Sequence, residues 1–284
     1  MEHGDIRIEI APENGAALLS LQSLHAGHWR DWLVDSALAS SISTPPCFPL
    51  MPFANRIADG RLKSSPEVLP ANRPDVSVHP IHGYAWQKPW SVDRQEVDSV
   101  ELSYDGGDDS WPWRYRASLS FMLAPKELRI LMKLKHLGAG LMPAGFGLHP
   151  AFPTDGLLAV KATTKAFLPV DDRCLPIAYM AGATECTELA KGHLPKPGID
   201  SDFDGWQNSL RMEWRDRSLL LSSEPVFTAL HVFRPKDKPL LCLEPVSHVT
   251  GAMAVDSLPE IPVPQMLGTN EALEGKLVFQ LIDH

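Results

Sequence analysis

The chain has 284 residues, and its 44% apolar and 21% charged content is that of a globular protein burying a substantial core. A formal charge of −9 leaves no basic surplus to neutralise phosphates, which argues against a nucleic-acid partner. The charged start MEHGDIRIEIAPENG lacks an export signal and no apolar run reaches membrane-spanning length, so a cytoplasmic protein with no membrane partner is expected.

From the amino terminus, Asp5 to Ala11 (DIRIEIA) alternates polar and apolar residues, the period of a strand with one wet face. PFANRIADGRL follows near Pro52 and HPIHGYAW near His82, both rich in turn-forming residues. Alternation returns over Arg114 to Leu123, and after the turn-like APKE the stretch Leu128 to Leu137 is predicted as its antiparallel partner. Beyond GFGLHPAFP, strands are predicted at residues 157–166, 209–214, 218–223, 226–233, 239–244 and 276–282. The stretch Asp171 to Asn208, rich in Pro, Gly and acidic residues, reads as a long surface excursion.

Twenty-six prolines and 19 glycines cut the chain into strand-sized pieces, and long 3.6-period stretches are nearly absent. No composition shift separates two halves. The expectation is an all-β, large antiparallel β-sandwich with few short helices, formed as a single domain over residues 1–284. Cys47, Cys174, Cys186 and Cys242 form no C-x-x-C pair and read as reduced thiols.

Three distant stretches carry proton chemistry: His82 in HPIHGYAW, His149 in GFGLHPAFP and Glu244 in CLEPVSH. One carboxylate and two imidazoles in one cleft can exchange protons with a neutral hydroxylated molecule near pH 7. His79 and His82 form H-x-x-H, but Pro80 between them argues against the helix that presents such metal-binding pairs, so no metal is expected.

In their order along the chain, PFANRIADGRL, HPIHGYAW, DDSWPWRYRASLSF, MPAGFGLHPAFP, IDSDFDGW and CLEPVSH resemble the motifs of the aldose 1-epimerase (galactose mutarotase-like) family. The resemblance implies a galactose mutarotase-like supersandwich with a sugar cleft on one sheet. It also implies an isomerase that interconverts the anomers of a monosaccharide without a cofactor; monomer and homodimer both stay open. On it, Glu244 is the expected base and His149 the acid, with His82, Arg56 and Asp200 binding substrate. Asp202 and Asp204 lie close enough to compete with Asp200 for that part. Trp86 and Trp206, which follow two of these motifs, are expected to line the cleft with flat apolar faces.

Each residue also has a plain structural reading. Glu244 reads as a solvated strand-end carboxylate, His149 as a histidine bound to a backbone carbonyl, and Arg56 as the ion-pair partner of Asp59. Two other functions stay open on the sequence. A hexose-phosphate 1-epimerase needs a basic cluster, for which Arg56 and Arg61 are the visible pair. A non-catalytic sugar-binding module would keep the sandwich without needing an acid–base pair.

Overall fold

The computed structural model describes residues 1–107 and 111–284; Asp108 to Ser110, which open the DDSWPW motif, lie outside the described residues. Antiparallel strands dominate, as expected, and two large sheets pack face to face. One has eight strands, in the order Leu157–Ala162, Ser209–Trp214, Arg217–Ser223, Ala272–Asp283, Glu127–His136, Tyr115–Ala124, Ser99–Gly106 and Ser91–Gln95. The other has seven: Met180–Ala181, Ala166–Leu168, Ile199–Asp204, Ala229–Arg234, Leu240–Val246, Gly147–Pro153 and Cys47–Leu50. A four-stranded sheet is built from the first 31 residues, and Met142–Ala144 pairs with Gln265–Leu267.

The predicted hairpin is present, with Tyr115 opposite His136 and Ala124 opposite Glu127. Its alternation puts Tyr115, Ala117, Leu119, Phe121 and Leu123 inward, beside Leu128, Ile130, Met132 and Leu134 of the partner strand. The same core takes in Leu148, Phe152, Phe203, Leu230, Val232, Leu241 and Leu243 from the seven-stranded sheet. Each Leu, Ile, Val, Met or Phe among them removed from water contributes roughly 2 kcal/mol.

The seven-stranded sheet is covered on its second face too. Val34, Ala39, Ala151, Leu240 and Cys242 form one patch there, and Phe48, Leu50, Trp86, Ala229 and Val246 belong to another. Burial on both faces explains why PLLCLE reads as an unbroken apolar run rather than an alternating one. Two expectations change. Residues 157–166 divide into Leu157–Ala162 and Ala166–Leu168, which belong to different sheets. The stretch 171–208 is not only a surface excursion: it holds the helix Thr184–Lys191 and the Ile199–Asp204 strand, where Ser201 to Asp204 are buried. No described helix is long and apolar enough to cross a membrane.

Candidate active site

Strand register assembles a polar row on the second face of the seven-stranded sheet. Phe48 stands opposite His149, Glu244 opposite His231, and His231 opposite Asp202. Side chains directly opposite in a ladder share a face. His149 and Glu244 meet where the ladder between Gly147–Pro153 and Leu240–Val246 is interrupted, between the Gly147–Val246 and Ala151–Cys242 pairs. Pro150, with no N–H to give, lies in that gap.

His149 Nε2 lies 3.2 Å from Glu244 Oε1, and both side chains are almost fully buried. Phe48 stacks on the His149 ring at 4.5 Å between centroids. Neither Glu244 oxygen has a hydrogen-bond partner in the protein, and neither has His149 Nδ1. Buried polar groups are normally satisfied, so an acid and an imidazole left in this state point to a site that receives polar ligand atoms. Burial pushes the Glu244 carboxyl up to about 8 and the His149 imidazole down to about 3. Near neutral pH the proton that the pair shares therefore rests on the carboxyl.

His82 completes this end of the cleft, with its ring edge-on to His149 at 5.2 Å. Its backbone is left-handed (φ 60°), and Gly83 after it is also left-handed, with a Cβ there falling 1.9 Å from the Met51 carbonyl oxygen. The HPIHGYAW stretch thus crosses tightly over the 51–56 segment, and only glycine fits the crossing. His82 N–H donates to the Asn55 carbonyl at 3.0 Å, and Asn55 N–H donates to His82 Nδ1 at 3.3 Å. That contact leaves the hydrogen of the neutral ring on Nε2. Burial holds His82 well below its ordinary value.

The opposite end is ionic. Arg56 reaches the two oxygens of Asp200 at 3.4 and 3.2 Å and touches Asn55 Oδ1 at 3.1 Å. Asp59, the partner on the plain structural reading of Arg56, pairs instead with Arg173. His231 lies 3.0 Å from Asp200 Oδ1 through Nε2 and 2.9 Å from Asp202 Oδ1 through Nδ1. Asp202 also accepts the Thr250 N–H at 2.7 Å, and Asp204 accepts the Tyr179 hydroxyl at 2.7 Å. Of the three aspartates, Asp200 lines the cleft. Burial opposes its charge, but the His231 and Arg56 donors outweigh burial and hold it well below the usual carboxylate range.

Trp86 lines the cleft, tilted against Phe48 at 4.7 Å, with the Arg73 guanidinium 5.2 Å from the centre of its ring. Trp206 does not line it. Gly205 (φ 65°) turns the chain away at the end of the Ile199–Asp204 strand, and the indole enters the apolar core with Nε1 donating to the Ser209 carbonyl at 3.0 Å. Sequence reasoning missed His231, Asn55 and Arg73. His231 reads as one polar residue in the apolar strand VFTALHVF, and only register reveals that it faces Glu244.

Among the described residues, His82, His149 and Glu244 are the group whose donor atoms approach within 4.8 Å and could hold a cation. The Asn55 N–H on His82 Nδ1 speaks against it, because His82 then offers Nε2 as a hydrogen donor rather than as a lone pair. A larger hollow beside the helix Thr184–Lys191 contains none of these groups. Chemistry, not room, marks the cleft.

A family model described as aldose 1-epimerase matches residues 1–278. The uncharacterized protein YphB of Escherichia coli K12 is 24% identical over 267 residues, 87% of each chain. A crystal structure of an Escherichia coli K12 protein put forward as an aldose 1-epimerase superposes with a TM-score of 0.88 at 21% identity, covering 100% of this chain and 98% of that one. A galactose mutarotase-like protein from Clostridium acetobutylicum gives 0.81 at 19% identity, covering 99% and 94%. Likeness at this level of identity shows the shared fold.

Proposed function

Because the chain belongs to the aldose 1-epimerase family, we propose that it interconverts the α and β anomers of a free monosaccharide by acid–base ring opening at Glu244 and His149. The observation that carries the reading is the buried contact of 3.2 Å between these two side chains, whose remaining polar atoms have no protein partner.

The reaction needs two simultaneous proton transfers. From the resting state the pair's proton first moves from the carboxyl to His149. Glu244, then a carboxylate, takes the proton of the anomeric hydroxyl while His149, as imidazolium, gives one to the ring oxygen. The bond between the anomeric carbon and the ring oxygen breaks, and an aldehyde forms. Rotation about the first carbon–carbon bond and reversal of both transfers close the ring on its other face. The pair holds one proton throughout. After opening, that proton is on Glu244 and His149 is neutral, which is the arrangement that burial favours. Burial therefore favours the open-chain stage over the carboxylate–imidazolium state that precedes it.

His82 Nε2–H is available to donate to a sugar oxygen, and Arg56 with Asp200 offers a donor and an acceptor side by side for neighbouring hydroxyls. Trp86 supplies an apolar wall for the C–H face of the ring. A phosphorylated substrate fits less well. Arg61 pairs with Asp256 at 3.4 Å and does not line the cleft, while Arg73, which does, is already held by Asp75 at 2.5 Å.

The test is exchange NMR of anomer interconversion over a panel of aldoses, with glucose and glucose 6-phosphate compared directly. Acceleration of a free aldose by the purified protein is expected. Sugar binding without any acceleration would replace this reading by the non-catalytic module.

A further inference from the structure

We propose that His231 is a positioning residue of this site: an imidazolium clamped by Asp200 and Asp202, it fixes the Asp200 carboxylate at the cleft and sets its positive charge against Glu244 on the next strand. The proposal rests on the anomer-exchange reading of the Glu244–His149 pair and extends it to a residue outside the family motifs.

The geometry carries the charge assignment. Both ring nitrogens of His231 face carboxylate oxygens, Asp200 Oδ1 at 3.0 Å and Asp202 Oδ1 at 2.9 Å. A neutral imidazole has one N–H and satisfies one of them; the imidazolium satisfies both. The remaining aspartate oxygens are taken by donors, Arg56 Nη2 on Asp200 and Thr250 N–H on Asp202, which favours both carboxylates as anions. Arg56 and His231 then balance Asp200 and Asp202, so the catalytic pair sits in a charge-neutral frame.

The groups around the ring are accounted for. Glu244 lies opposite it on the Leu240–Val246 strand, and Asp202 opposite it on the Ile199–Asp204 strand. The Asn55 amide nitrogen lies 3.1 and 3.2 Å from its two nitrogens. Arg56, His82 and His149 share the cleft. Although burial opposes the charge, Glu244 and the two aspartates outweigh it and hold His231 well above its ordinary value. In return, the imidazolium restrains the rise that burial imposes on Glu244.

The experiment is ¹⁵N NMR of histidine-labelled full-length protein, joined to ¹³C carboxyl titration of Glu244 in the wild type, His231→Gln and Asp202→Asn. Both His231 nitrogens should carry protons throughout pH 6 to 9. In His231→Gln the Glu244 carboxyl should titrate at least about one pH unit higher, a tenfold change in its proton affinity. The alkaline limb of kcat/KM should move with it. Asp202→Asn, which takes away one of the two anions that clamp the ring, should lower the pH at which His231 loses a proton, which keeps a readout if the glutamine variant does not fold. A single neutral tautomer of His231 at pH 7, a Glu244 titration unmoved in folded His231→Gln, or a His231 titration unmoved in Asp202→Asn, would overturn the proposal. Absence of anomer exchange in the wild type would refute the catalytic reading alone, because the ¹⁵N and ¹³C titrations need no turnover.

Discussion

In the eight-stranded sheet the pairs Arg116–Asp105, at 2.6 Å, and Lys133–Glu274, at 3.0 Å, stand in water with all four groups well exposed. The buried carboxylate Asp283 lies only at the end of the Ala272–Asp283 strand. In the seven-stranded sheet the ionisable groups stand in a buried row, His149, Glu244, His231 and Asp202, each at most 4% exposed. Exposed pairs exchange protein contacts for water at little net gain, and their protonation follows the solvent. The buried row cannot do this. Its protonation states are decided by neighbours and burial, which is what acid–base work near neutral pH requires. One sheet holds the fold with apolar contacts and ordinary surface charge, and the other carries costly charge on top of the same core.

Substitutions can break that contrast. The largest effect is expected from Glu244→Gln, which keeps shape and removes the titrating group. Its kcat for anomer exchange should fall by about 10²- to 10⁴-fold, with the Tm moving by no more than about 4 °C, as measured by exchange NMR and calorimetry. Parental turnover would dismiss Glu244 as a reacting group.

Leu134→Ala in the eight-stranded sheet should give the reverse signature. Leu134 is fully buried, and its truncation should cost about 3 kcal/mol in urea unfolding while the folded fraction keeps its kcat. A matching loss of kcat would show that the two sheets are not separable in this way.

The pH profile sharpens the contrast without mutation. With Glu244 pushed up to about 8 and His149 down to about 3, the pair holds its one proton between those values. As pH rises through about 8, Glu244 loses the proton while His149 is already neutral, so kcat/KM should fall. A decline centred near the ordinary glutamate range would contradict the burial argument. Such limbs describe the pair rather than either residue alone.

The smallest effect is expected from Lys133→Ala, which removes an exposed ion pair. It should change stability by less than about 1 kcal/mol and leave the profile where it was.

Legibility in the sequence divides along the same line. The hairpin of the eight-stranded sheet was readable because its wet and dry faces alternate, residue by residue, in Tyr115–Ala124 and Glu127–His136. Strands of the other sheet are buried on both sides or interrupted by proline. Cys47–Leu50 and Gly147–Pro153 carry Pro49 and Pro150 and show no such alternation. Glu244, His149, His82, Arg56, Asp200 and Trp86 were visible through motif order, and the structure brings all six to one cleft. His231 was hidden because its partners come from two other strands, and local context shows only a polar residue among apolar ones. Trp206 misled because nearness to Asp200 along the chain ended at a glycine turn.

The polar row has a consequence for how such a chain can vary. Successive residues of a strand point to opposite sides, so inserting or deleting one residue within Leu240–Val246 would present Leu243 or Pro245 to the cleft and turn the acid into the hydrocarbon interior. The same holds for each strand that contributes to the row. Length changes are thus confined to the connections between strands, and a relative with a shifted strand there would lose this grouping of polar side chains long before it lost the fold.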